Sequence, residues 1–336
     1  MDLSVCAALR HSDALRGHWR AASYNPRDVQ LRRYVNRSAL RSWMAACDDN
    51  QPLKRMSWEW MGTPAVPRLN ESALCDALNV LGARKSGESD GVLIVGDSLA
   101  GQLYATLLGL FKGPQLCGGI ARVDFRRNDF LTIGTGPQAA QQDTLSMRNG
   151  SCGSLDTRGN GQCSPWARAH FLQKYQVVVI SQGAHFIAEE STFVQHMRQV
   201  AELLRARTSR GTLVIFHDSI PGVADCDLRQ FERPLQTLEE AERIVQDKPF
   251  YDGPNFKRRN KLAAELFGAA GFVHLHTYHP TVMRQDSRLG YRVRPASQGG
   301  GGRFLDCIHF CVPGPTLLWA DMLAQRVVQA SECAQL

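Results

Sequence analysis

Between residues 90 and 330, short apolar runs alternate with longer stretches in which apolar residues recur every three or four positions. Val92–Val95, Tyr175–Ser181, Gly211–Phe216 and Phe272–His276 are apolar on both faces and rich in β-branched and aromatic residues. This pattern predicts strands buried inside a parallel sheet. The helical spacing predicts helices over Ser98–Phe111, Ser191–Arg207, Asn255–Gly268 and Pro315–Ala330. Strands separated by helices indicate an α/β fold with helices on both sides of a central parallel sheet, a three-layer αβα sandwich with right-handed connections. Residues 112–174 and 218–250 have little periodicity and contain Gly, Pro, Asn and Cys, so they read as long loops. Such loops would rim the carboxyl ends of the strands, where open α/β sheets bind ligands. The first ninety residues are irregular and rich in Trp and Arg, with helices expected around Arg37–Ala46 and Glu71–Leu81 and a loop over Ser86–Gly91.

Composition narrows this only a little. With 336 residues, 43% hydrophobic and 21% charged, the chain is an ordinary globular one, not collagen-like, coiled-coil or disordered. No apolar run approaches the roughly 20 residues of a membrane span. The net charge is +7, and only seven of the 39 basic residues are lysine. The arginines are scattered, whereas a nucleic-acid reader concentrates them with aromatics in a groove, so no nucleic-acid partner is expected.

Cysteine changes the picture more. There are ten, widely spaced, together with three glycosylation sequons at Asn36-Arg-Ser, Asn70-Glu-Ser and Asn149-Gly-Ser. An even count and these sequons suit disulfides in an oxidising compartment. Met1-Asp2 opens without a basic or apolar leader, so either a secretory address rests on an anchor outside this chain or the cysteines are free thiols.

Two segments carry candidate chemistry. In Val92-Leu-Ile-Val-Gly-Asp-Ser-Leu99 a buried strand runs through Gly96 and Asp97 into Ser98 and a helix. A hydroxyl there lies at the positive end of the helix, where a developing oxyanion is stabilised. Equally, Asp97 or Ser98 would serve as a helix cap. In Phe304-Leu-Asp-Cys-Ile-His-Phe-Cys-Val-Pro-Gly314, Asp306 and His309 lie three apart, so a bent loop brings carboxylate to imidazole. His309 would then serve Ser98 as general base and later general acid, oriented by Asp306. The alternation of Cys307, His309 and Cys311 also fits metal ligands on one face of a strand, or a plain disulfide loop around a buried histidine. His274, His276 and His279 read as core or strand-end residues. His185, after a strand, is a candidate substrate contact. Trp58 and Trp60 read as plugs on the core, and Trp166, in the long loop, as a sugar-stacking candidate.

Gly96-Asp-Ser-Leu99 and Asp306-Cys-Ile-His-Phe-Cys-Val-Pro-Gly314 together resemble the PC-esterase, or trichome-birefringence-like, polysaccharide O-acetyltransferases of the GDSL/SGNH hydrolase superfamily. Further similarity runs through Val179–His185, Asn255–Asn260 and Thr281–Asp286. The resemblance implies an SGNH-hydrolase-like fold and a serine-dependent double displacement. Ser98 would take an acetyl group from a donor and pass it to a glycan hydroxyl, with catalytic Ser98, Asp306 and His309. It implies no metal and no tightly held cofactor, a Golgi-lumenal glycoprotein, and no membrane contact except through an absent anchor. Asp97, Gln102 and the Gly183 backbone become candidates for the oxyanion or substrate, joined by His185 and Trp166. Gly101-Gln102 and Ser181-Gln182-Gly183 depart from the family pattern, which leaves the acceptor open. A carbohydrate acetyl esterase with the same three residues and a glycan-binding protein without activity remain alternatives. The chain then divides into an irregular N-terminal segment, 1–88, packed on the core, and a catalytic unit, 89–336. A monomer is expected, since no long apolar surface stripe stands out.

Overall fold

The computed structural model describes residues 16–22, 27, 28, 30, 31, 34, 57–63, 65–83, 90–131, 164–182, 188–226, 231–293 and 302–335. In chain order its elements are β1 (Arg16–Ala22), β2 (Ser57–Thr63), α1 (Glu71–Ala83), β3 (Gly91–Gly96), α2 (Ser98–Phe111), β4 (Gln115–Leu116) and β5 (Ala121–Arg127). Then follow α3 (Ala169–Leu172), β6 (Tyr175–Ser181), α4 (Glu190–Arg207), β7 (Leu213–His217), α5 (Leu238–Asp247) and α6 (Phe256–Ala269). The chain ends with β8 (Val273–Leu275), α7 (Tyr278–Val282), β9 (Arg288–Val293), β10 (Arg303–Phe310) and α8 (Pro315–Gln335).

The central sheet has six strands in the order β4-β5-β3-β6-β7-β8. All its pairings are parallel except that of the two-residue edge strand β4 with β5. The strands are apolar on both faces because both are covered. Val92, Ile94, Val177, Val179 and Ile215 point into a core shared with α1, α2 and α8. Their neighbours Leu93, Val95, Val178, Ile180 and Phe216 point the other way, into a core shared with α4 and α6. That alternation is the three-layer sandwich the pattern predicts.

The differences lie where polar residues interrupt the pattern. β5 runs through the first of the two expected loops. Ala121, Val123 and Phe125 are buried, but Asp124 sits among them and is also buried, accepting a hydrogen bond from the Tyr175 hydroxyl at 2.8 Å. The paired carboxylate lets a polar residue occupy a core position. In the second expected loop, α5 is capped by Thr237, whose hydroxyl accepts the Glu240 N–H at 3.1 Å. Two further antiparallel ribbons, β1–β2 and β9–β10, stand outside the main sheet. The expected helix over Arg37–Ala46, and all but the end of the Ser86–Gly91 loop, lie outside the described residues.

β1–β2 is fastened to the sandwich by tryptophan. Trp19 Nε1 donates to the Pro280 carbonyl at 2.8 Å, its ring meets that of Trp60 edge-on, and the Arg284 guanidinium lies 4.7 Å from its ring centre. Disulfides join Cys75 to Cys117 and Cys226 to Cys307. Cys311 and Cys333 are disulfide-bonded as well, and no described cysteine is free. These bonds fit a lumenal or extracellular setting. No described helix is long and apolar enough to cross a membrane.

Candidate active site

β3 ends at Gly96, whose missing side chain is a packing requirement. A Cβ there would lie 2.5 Å from the Ser181 carbonyl oxygen and 2.8 Å from the Ala100 Cβ. Strand β6 and the first turn of α2 can close on this point only around glycine. Asp97 follows in extended conformation and caps α2, its Oδ1 accepting the N–H groups of Leu99 at 2.9 Å and Ala100 at 3.3 Å. Its carboxylate is therefore spent on the helix end, the capping role. Ser98 is the first helical residue and is almost fully buried at the carboxyl edge of the sheet.

The partner arrives from β10. Pairing with β9 is regular as far as Asp306, opposite Gly290, and resumes at Phe310, opposite Arg288. Between them the strand bulges, as strands do where a side chain is re-aimed. Asp306 Oδ1 accepts the N–H of His309 at 3.1 Å across this bulge. The imidazole folds back so that Nδ1 lies 2.9 and 3.0 Å from the two Asp306 oxygens. Its Nε2 lies 2.7 Å from Ser98 Oγ, a residue 211 positions earlier. A carboxylate only accepts, so Nδ1 carries the proton and Nε2 is left to accept the serine hydroxyl. The bent loop expected at Asp306–His309 is a bulged strand.

Two more residues hold this arrangement. Gln102, expected to face an oxyanion, instead clasps the backbone beside the histidine. Its Nε2 donates to the Phe310 carbonyl at 2.9 Å, and its Oε1 accepts the Phe310 N–H at 3.1 Å. With both ends of the amide engaged, Gln102 acts as a substitute strand neighbour for β10. One turn further along α2, Thr106 donates its hydroxyl to that of Thr316 at 2.9 Å. Ser98, Gln102 and Thr106 are thus a polar stripe with i, i+4 spacing on an otherwise apolar, buried helix. The stripe meets His309, Phe310 and Thr316 in order.

Arg288 is the other. It is fully buried, donating to the carbonyls of Ile308 and Pro221 and to Gln285 Oε1, with its guanidinium 4.0 Å from the centre of the Phe310 ring. Burial pulls its pKa down to about 9, against the opposing charges of Asp306 and Asp286. The spacing of 98, 102 and 106 was a usable signal for Gln102 in the sequence. Nothing in the sequence singles out Arg288.

The remaining candidates separate cleanly. Trp166 is fully buried in the core beneath α4, among Leu172, Phe193 and Met197, so it presents no face to a sugar. It packs inward because the short helical turns ending the long segment 112–174 close over the sheet. Gly183 and His185 lie outside the described residues. Cys307 and Cys311 are both disulfide-bonded, which removes them as metal ligands beside His309. The Cys226–Cys307 bond fastens the backbone next to Asp306 to the loop after β7.

No protein-family model matches the chain, so the family resemblance stands on its motif residues alone. No curated protein matches it either. Among solved structures, the chain is similar to the periplasmic domain of a lipopolysaccharide acetyltransferase from Salmonella ser. Paratyphi A. The identity is 12% and the TM-score 0.37, over 77% of this chain and 89% of that one. A superposition that loose fixes neither fold nor chemistry.

Proposed function

We propose that the protein is a serine-dependent acyltransferase that moves an acetyl group onto a glycan hydroxyl. The observation that carries the reading is the continuous hydrogen-bond chain from Ser98 Oγ through His309 to Asp306 at the start of a buried helix. Nucleophile, base and orienting acid at these distances are what acyl transfer through serine requires.

The proposed reaction has two displacements. Ser98 Oγ attacks the carbonyl carbon of an acetyl ester while His309 Nε2 takes the hydroxyl proton. The tetrahedral oxyanion forms at the amino end of α2, where the helix dipole favours negative charge. The intermediate expels the donor's oxygen, which leaves with the proton from His309, and the acetyl group remains on Ser98. An acceptor hydroxyl then gives its proton to His309, attacks the acyl-serine and departs acetylated, and the proton returns to Ser98. Asp306 keeps the imidazole in the required tautomer and stabilises the imidazolium between steps. The glycan acceptor and a Golgi-lumenal setting are carried by the motif resemblance, and the disulfides agree with an oxidising compartment.

The test is incubation with an activated acetyl ester, followed by intact mass and peptide mapping. An acetyl group on the peptide holding Ser98, absent from Ser98→Ala and much reduced in His309→Ala, is the expected result. Absence of both adduct and ester turnover from the correctly oxidised protein would sink the reading and favour a glycan-binding protein. Adding candidate glycans then measures how far a sugar hydroxyl outcompetes water for the acyl-enzyme.

A further inference from the structure

A second cluster of side chains lies on the same sheet, two and three strands away from the one that carries Ser98. Asp218 follows the last residue of β7, His274 is the middle residue of β8, and His276 lies just beyond it. One potential ligand atom from each lies within 4.8 Å of the other two. Asp218 and His274 are buried, while His276 is half-buried, so the cluster opens to solvent on one side.

The internal hydrogen bonds do not use up what this cluster offers. Asp218 Oδ2 accepts the Tyr278 N–H at 2.9 Å, and Oδ1 faces His274 Nε2 at 2.5 Å. His274 Nδ1 is buried and has no hydrogen-bond partner among the described residues. That nitrogen lies across the ring from Asp218, so a cation shared with Asp218 is taken through Nε2 in place of the present hydrogen bond. The neighbouring imidazole is close: the ring centres of His274 and His276 are 3.7 Å apart at 53°. Two imidazoles in contact beside one carboxylate, with a potential ligand atom from each close to the other two, make a ligand set.

We propose that Asp218, His274 and His276 bind a divalent cation of the zinc class. Two imidazoles and one carboxylate suit zinc, whereas calcium and magnesium seek all-oxygen shells. Bonds of 2.0–2.2 Å in tetrahedral geometry put ligand atoms roughly 3.3–3.6 Å apart, so the Asp218–His274 pair, now 2.5 Å apart, opens by about 1 Å to admit the cation. His276, half-buried, is the most accessible of the three. A fourth position then faces solvent. The cation would tie edge strand β8 to β7, and it takes no part in the chemistry proposed at Ser98.

The experiment uses the tag-free, fully oxidised chain stripped with a chelator. Zinc chloride is titrated by calorimetry, and thermal unfolding is followed with and without zinc. One zinc per chain is expected, with a melting temperature that rises with zinc concentration as a ligand of the native state requires. His276→Gln, which alters a half-exposed side chain, should fold as the parent does without metal and bind zinc more than about tenfold more weakly. Asp218→Asn should weaken binding in the same direction. Absence of stoichiometric binding overturns the proposal, and so does zinc binding that His276→Gln and Asp218→Asn leave unchanged.

Discussion

At the scale of single residues the site depends on contacts that tolerate little change. Gly96 has the Ser181 carbonyl and the Ala100 side chain where a methyl group would go. Gly96→Ala is expected to destabilise the fold by about 1–3 kcal/mol, the usual consequence of overpacking a core, read as a lower denaturant midpoint at unchanged slope. Gln102→Leu keeps the volume but strands the N–H and C=O of Phe310 in a buried place. A loss of about 2 kcal/mol is expected. If Gln102 also positions His309, turnover of a model ester should fall by roughly tenfold with KM nearly unchanged, since the lost alignment acts on the reacting groups. A drop in stability with unaltered kcat would remove that positioning role. The serine, the histidine and the aspartate were legible as residue types in recognisable strings. The use of Gln102 was not, because an amide looks the same whether it faces a ligand or a backbone 208 residues away.

At the scale of elements, hydrophobic runs marked β3, β6, β7 and β8 because both faces of each are covered. β5 escaped notice because Arg122, Asp124 and Arg126 interrupt its apolar residues, and the fold absorbs Asp124 through Tyr175. β9 and β10 form a ribbon outside the main sheet, so their sequences lack the continuous apolar character of core strands. α4 is fixed to the turn after β5 by His196, whose Nε2 donates to the Phe130 carbonyl at 2.8 Å. Burial lowers the His196 pKa, and the bond to Phe130 opposes that shift. A depressed folded-state value means the unfolded chain takes up a proton first. The stability this residue contributes is therefore present above the ordinary histidine pKa and lost as pH falls through it. Urea unfolding between pH 7.5 and 5 should show a steeper loss for the parent than for His196→Gln, whose amide nitrogen matches the ring Nε2 that reaches Phe130. Equal slopes would remove His196 from the account. The bulge in β10 depends on its own fastening: reducing Cys226–Cys307 frees the residue next to Asp306. Mild reduction should lower ester turnover before the far-ultraviolet circular dichroism changes.

At the scale of the molecule, the two ends of the chain meet. Arg27 pairs with Asp321 on α8 at 2.8 Å, and Trp19 closes over Pro280. Trp19→Ala should cost about 3–5 kcal/mol, visible as a lower melting temperature, because it empties a buried indole site that both parts of the chain line. The layered sheet could be read from the sequence because periodicity is a local property. The wrap of β1–β2 could not, since tryptophan and arginine in an irregular stretch do not name what they will cover. The separation of Ser98 from His309 also has a consequence in time. At about 5–20 residues per second, a ribosome needs roughly 10–40 s to pass from the serine to its base. Throughout that interval the hydroxyl is present without the imidazole that would activate it. A nascent chain, or one ended before His309, therefore carries the proposed nucleophile in a dormant form.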